Sequence, residues 1–137
     1  MSNVQNFFEK KAKTGEWKDL YDLKNPSSYP FVIRLQKTQK MLEGKVNGKK
    51  LCDLGCGTGA LIPFVLESKG NYTGIDFSDE MLSKIKDNAN YDKSKLNLKN
   101  VDFNESNINE QFDILVGLGF IEYFEDPNKI IKKLNKI

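Results

Sequence analysis

Apolar residues change their spacing several times along this chain, and each change marks an element. Val4, Phe7, Phe8 and Ala12 recur at helical intervals, and Trp17, Leu20 and Tyr21 repeat the pattern after Gly15. Residues 1–24 are therefore expected to be helical. Asn25-Pro26-Ser27-Ser28-Tyr29-Pro30 breaks the pattern with two prolines in a polar cluster. Pro30 suits the first turn of a new helix, on which Phe31, Leu35, Thr38 and Leu42 share a face, and Gly44 and Gly48 close it.

From residue 50 the pattern alternates between short apolar runs and helical stripes. Lys50 to Leu54 reads as a strand, Gly55-Cys56-Gly57-Thr58-Gly59 as a tight loop, and Ala60, Leu61, Phe64, Val65 and Leu66 as one face of a helix. Tyr72 to Asp76 is a second strand. Ser78 caps the next helix, with Asp79 and Glu80 favouring its dipole and Met81, Leu82, Ile85 and Ala89 as its buried face. Leu96 to Val101 alternates as a third strand. Phe112 to Leu118 is almost continuously apolar, as expected of a strand covered on both faces. Asp126-Pro127 then caps a helix carrying Ile130, Ile131, Leu134 and Ile137. Strands alternating with helices imply an α/β fold: an open, mostly parallel sheet with helices on both faces.

Composition narrows the classes of function. The 21 basic and 19 acidic residues are interspersed and give a net charge of +2, so no electrostatic case arises for nucleic acid or an anionic membrane. The longest apolar runs, Ala60–Leu66 and Ile114–Ile121, fall far below the roughly 18 residues of a membrane helix, and the opening residues show no signal-peptide pattern. Cys52 and Cys56 are the only cysteines and there is no histidine, a poor basis for a metal site. Reduced thiols in a cytoplasmic protein are the expected state. Absence of histidine also removes the commonest general base.

The polar residues that invite a chemical reading all fall at carboxyl ends of expected strands. These are Asp53 with the glycines, Asp76, Asp102 with Phe103, and the stretch from Gly117 to Tyr123. In an open parallel sheet that edge is where ligands bind. Glycines lacking Cβ let a ligand approach the main chain, and Asp76, seventeen positions after Gly59, has the spacing of a ribose-holding carboxylate. A turn or helix cap is the plainer use of such an aspartate.

Taken together, LCDLGCGTG, GIDFSDEML, NVDF and FDILVGLGFIEYFEDP resemble the class I S-adenosylmethionine-dependent methyltransferase family, of the type acting on small molecules. The four blocks stand in family order and cover residues 49 to about 134. The resemblance implies a Rossmann-like sheet of strand order 3-2-1-4 that lacks the family's carboxyl-terminal strands. It also implies an amino-terminal helical segment or lid over residues 1–48 and a cofactor-binding core over 49–137. By the same resemblance, Asp53 would contact the methionine part of S-adenosylmethionine, and Gly55, Cys56, Gly57 and Gly59 would let the backbone approach it. Asp76 would accept both ribose hydroxyls, Phe77 would lie along the adenine, and Asp102 and the Phe103 amide would bond its edge. Gly117 and Leu118 would border the methyl group. Glu122 and Tyr123 are the candidates for residues facing the acceptor, and no metal is implied. FFEKKAKTGEWKDLYD resembles the amino-terminal helices of methyltransferases acting on quinone, porphyrin or natural-product precursors, with Trp17, Tyr21 and Tyr29 as candidate lid residues.

Two other readings compete. Gly55 to Ala60 also satisfies the GxGxxA pattern of a nicotinamide- or flavin-binding oxidoreductase, although Asp53 lies where that fold keeps an apolar residue. Because the chain stops soon after the fourth strand, a fragment, a truncated copy, or a non-catalytic cofactor-binding remnant is the other expectation. An uncovered fourth-strand edge would then favour pairing of two copies.

Overall fold

A computed structural model of the chain describes residues 3–17, 20–105 and 107–137. Four parallel strands form one sheet in the order β3-β2-β1-β4, comprising β1 Lys50–Leu54, β2 Asn71–Asp76, β3 Leu96–Asn100 and β4 Ile114–Val116. This is the expected α/β architecture and strand order. The helices are α1 Asn3–Thr14, α2 Tyr29–Leu42, α3 Ile62–Glu67, α4 Asp79–Asp87 and α5 Pro127–Leu134.

Alternation along the strands divides the core in two. Leu51 and Tyr72 are partners in register and face one side, where they pack with Leu61, Ile62 and Val65 around α3 and with Leu82 and Ile85 of α4. Cys52, Leu54 and Ile75 face the other side and pack with Phe103, Ile130 of α5 and Ile137. Two-sided cover is what buries four successive residues of β1, Leu51 to Leu54, at the sheet centre.

Local chemistry sets the ends of the elements. The Ser78 hydroxyl accepts from the Met81 amide at 3.2 Å and the Asp126 carboxylate from Lys129 at 3.1 Å, so both expected caps are formed. Pro30 stands in the first turn of α2.

Four details depart from expectation. The first helix ends at Thr14, because Gly15 takes φ +74°, the left-handed conformation that terminates a helix. The Trp17–Tyr21 stripe follows as turns, and Lys18 and Asp19 within it lie outside the described residues. The fourth strand is only Ile114–Val116, since Gly119 at φ +71° bends the chain away, and Leu115 is 37% exposed rather than covered. Val101 falls just beyond β3. Ala89 is exposed, because α4 stops at Asp87 and Asn88 caps it through the Ile85 carbonyl.

The amino-terminal elements cover the carboxyl edge of the sheet. Lys84 of α4 donates to the Ala12 carbonyl at 2.5 Å and so ties down the end of α1. No helix among the described residues is long and apolar enough to cross a membrane.

Candidate functional site

The site begins where β1 ends. Gly55, Gly57 and Gly59 have φ of +66°, +53° and +78°, conformations costly for residues with a Cβ. The Gly55 and Cys56 amides both donate to the Ile75 carbonyl, at 2.8 and 3.1 Å, which anchors the loop to β2. Gly59 is also closely packed: a Cβ there would lie 2.4 Å from Ile62 Cδ1 and 3.1 Å from Ile85 Cδ1, so the buried Ile62 side chain would have to shift. At Gly57 no atom lies within 4 Å of that position, so the loop crest is open.

Asp76 joins this loop to the end of β2. Its Oδ2 accepts from the Gly57 amide at 2.8 Å and its Oδ1 from the Ser78 amide at 2.9 Å. The carboxyl is almost fully buried, and burial pushes its pKa up against the pull of those two amides. Asn100 on β3 then pins the next residues, its amide donating to the Asp76 carbonyl at 3.2 Å and the Phe77 carbonyl at 2.9 Å.

Asp53 lies deeper. It is 3% exposed, and its Oδ2 accepts the Tyr72 hydroxyl at 2.8 Å. Among the described residues, no ion pair includes it. Burial lifts its pKa to about 7; the Tyr72 bond pulls the other way and the nearby Asp76 charge adds to the rise. Burial likewise pushes the Cys52 thiol up to about 12 and Cys56 well above its usual range, so both are inert thiols rather than nucleophiles.

Above the sheet edge lies a cavity of about 160 Å³. Its floor is Gly55, Cys56, Gly57 and Asp76; one end is formed by Phe77, Met81, Val101, Asp102 and Phe103, and Leu118 and Tyr123 contribute from the β4 side. The roof is aromatic. Phe8 of α1 stacks on Trp17 at 5.4 Å and meets Phe77 edge-on at 6.1 Å and Tyr123 at 4.8 Å. Tyr21 and Phe31 complete that wall. Tyr29, the third expected lid residue, is 61% exposed and is not in the cavity lining.

Most of the sequence-derived site residues thus converge on one cavity. Gly55, Cys56, Gly57, Asp76, Phe77, Asp102, Phe103 and Leu118 line it. Asp53, Gly59 and Gly117 stand behind the wall: Asp53 against Tyr72, Gly59 under Ile62, Gly117 against Phe120. Of the acceptor-side candidates, Tyr123 lines the cavity, whereas Glu122 faces Arg34 at 3.6 Å.

Arg34 is one functional residue that the sequence does not mark. Among the described residues it is the single basic side chain lining the cavity, held 5.3 Å over the Phe31 ring and close against Gly119. Nothing local signals it, since an arginine on a helix reads as a solvated face. Phe120 was also missed; it packs over Gly55 and Gly117 and edge-on to Phe103 at 5.5 Å. Among the described residues, no group of three metal-ligating side chains comes together.

A parallel sheet with a glycine loop and carboxylates at successive strand ends defines a Rossmann-like domain with a nucleotide-type ligand site. Residues 52–137 match the family model described as a methyltransferase domain, and the chain belongs to that family. Among curated relatives, it is 30% identical to the ubiquinone biosynthesis O-methyltransferase of Actinobacillus pleuropneumoniae serotype 7 (strain AP76), over 91% of this chain and 55% of that protein. It is 26% identical to the enzyme of the same name from Hydrogenovibrio crunogenus, over 87% and 46%. The chain spans about half the length of the curated relatives it matches. Among solved structures, magnesium protoporphyrin IX methyltransferase from Synechocystis PCC 6803, crystallised with S-adenosylhomocysteine, shares the fold. Its TM-score is 0.75 at 19% identity, over 96% of this chain and 64% of that one.

Proposed function

We propose that this chain binds S-adenosylmethionine in the cavity above β1 and β2 and directs its methyl group to a small-molecule acceptor. One observation carries the reading: Asp76, fixed through both oxygens by the Gly57 and Ser78 amides, stands at the cavity floor beside the open crest of the glycine loop. Each carboxylate oxygen has two acceptor sites, so an oxygen that already bonds an amide can still accept from a ribose hydroxyl.

The other residues fit the rest of the cofactor. Phe77 and Phe103 offer apolar surface to an adenine ring, and Asp102 and the Phe103 amide offer an acceptor and a donor for its edge. Asp53, behind the floor, supplies negative charge in its ionised form for the amino group of the methionine part, and Arg34, in the lining, supplies a cation for its carboxylate. Gly57 leaves space for close approach, while Gly59 keeps the loop seated on α3 and α4. When bound, the cofactor would supply a methyl group already activated on a positive sulfur, so the protein mainly has to align a nucleophile.

The acceptor wall would be aromatic, from Phe8, Trp17, Tyr21, Phe31 and Tyr123. That lining favours a small, largely apolar or aromatic acceptor over nucleic acid, and Leu118 and Tyr123 would border the transferred methyl. We place the activity in the cytoplasm. Residues 1–48 act in this reading as the lid, and the outer edge of β4 is the surface through which two copies would pair. Sizing chromatography tests that pairing; a clean monomer at high concentration would exclude it.

A nicotinamide- or flavin-binding role predicts the opposite ligand preference. S-adenosylhomocysteine at about 100 times its dissociation constant should stabilise the protein by about 2.7 kcal/mol and raise its melting temperature. NADH should leave it unchanged. A shift with NADH and none with S-adenosylhomocysteine would reverse the assignment.

A further inference from the structure

The base end of the cavity rests on the turn that follows β3, and a residue from a distant helix holds that turn. Val101 anchors its start, donating to the Asp76 carbonyl at 3.0 Å. Within it, the Asn104 amide donates to Asp102 Oδ1 at 2.9 Å and the Glu105 amide to the Asp102 carbonyl at 3.2 Å. These bonds give the turn its shape. Its seat against the rest of the protein comes from Phe103, which is 4% exposed and whose ring packs edge-on against Phe120.

Lys133 of α5 takes hold of the same residue twice. Its ammonium donates to the Phe103 carbonyl at 2.5 Å and lies 4.9 Å from the centre of the Phe103 ring. A carbonyl acceptor and an aromatic face together fix both the backbone and the side chain of one residue. The Asp102 carboxylate is also close enough to attract the ammonium, so Lys133 places a positive charge beside the turn's side chain as well as on its backbone.

We propose that Lys133 is a positioning residue for purine recognition: it orients the Asp102–Phe103 turn so that the site distinguishes a 6-amino from a 6-oxo purine. It touches the turn, not the ligand. The inference rests on the S-adenosylmethionine reading above. The Asp102 carboxylate oxygens, as acceptors, suit an exocyclic amino group and repel a carbonyl oxygen at the same place. Loosening the turn, or removing the charge beside Asp102, erodes that distinction more than it erodes binding as a whole.

The test compares dissociation constants of S-adenosylhomocysteine and S-inosylhomocysteine, measured by calorimetry on the whole chain. Wild type should favour the adenine ligand. Lys133→Met keeps the apolar stem but loses donor and charge, and should lower that preference by about fivefold or more; Lys133→Arg should keep it. Should the Met variant fail to fold, Lys133→Gln, which keeps a donor without the charge, is read on the same ratio. A purely structural role would weaken both ligands alike and leave the ratio unchanged, which overturns the proposal, as does a wild type without adenine preference. If wild type binds neither ligand, the cofactor reading itself falls; if it binds normally and only the ratio is insensitive to Lys133, the cofactor reading stands and this inference is lost.

Discussion

Tyr72 donates its hydroxyl to Asp53 at 2.8 Å, and both side chains are almost completely buried. Leu51 is the register partner of Tyr72, so Asp53 sits two residues further along the same face of β1, the diagonal position a long aromatic side chain can reach. Among the described residues, the Tyr72 hydroxyl is the one donor to this buried carboxylate, an arrangement suited to receiving a cationic group.

That relationship makes affinity depend on pH. The Asp53 pKa is raised to about 7 from 3.8, so the folded protein holds a proton that the unfolded chain has already lost between those values. Stability contributed at this position is therefore greatest at low pH and declines as pH rises through that window. Ligand binding has the opposite trend, because it needs the ionised form. Asp53→Asn keeps an acceptor for Tyr72 and should raise the melting temperature more at pH 8 than at pH 5. The same change should weaken S-adenosylhomocysteine about tenfold or more and abolish the rise in wild-type affinity between pH 6 and pH 8. Calorimetry across that range checks both.

Asp76 bonds two backbone amides, so its removal has a structural as well as a functional cost. Asp76→Ala leaves the Gly57 and Ser78 amides without their partner and should destabilise the domain by about 1–3 kcal/mol. Ribose binding should fall at least about a hundredfold, since two charge-assisted bonds are lost together. Denaturant melts and ligand titration of the same sample separate the two effects; unchanged affinity would remove Asp76 from the site.

The glycines should not respond alike. Gly57→Ala meets open space and carries mainly the left-handed backbone cost of about 1–2 kcal/mol. Gly59→Ala adds an overlap at 2.4 Å from Ile62 and should lower the melting temperature further. Ligand affinity should show the reverse order, because the Gly57 crest borders the cavity and Gly59 does not. Equal affinity losses in the two variants would contradict the assignment.

Arg34 and Glu122 form a long, half-exposed pair at 3.6 Å, worth little on its own. Arg34→Ala should nevertheless weaken S-adenosylhomocysteine about tenfold or more through loss of its carboxylate partner, while leaving adenosine affinity unchanged. Glu122→Gln should leave both affinities within about twofold.

How much of this was legible beforehand follows from how local each signal is. β1, the glycine loop and β2 are dictated by a few adjacent residues, and the caps at Ser78 and Asp126 are formed where the sequence places them. The apolar run through residue 118 overstated β4 because Leu118 and Phe120 serve the cavity, and apolarity alone cannot separate a strand from a lining turn. Trp17, Leu20 and Tyr21 have helical spacing, but Gly15 in the left-handed region ends the helix before they are reached. Arg34 and Lys133 act through tertiary contacts with residues far away in the chain, and no local pattern marks them. Tyr72 lies between: it reads as a core aromatic until the β1–β2 register puts its hydroxyl beside Asp53.

The central claim is that the cavity above β1 and β2 is an S-adenosylmethionine site, and calorimetric titration with S-adenosylhomocysteine tests it most directly. The expected result is saturable binding at one ligand per chain, lost in Asp76→Ala and tighter at pH 8 than at pH 6. A folded wild-type protein that releases no heat and shows no melting shift with this ligand at either pH would contradict it.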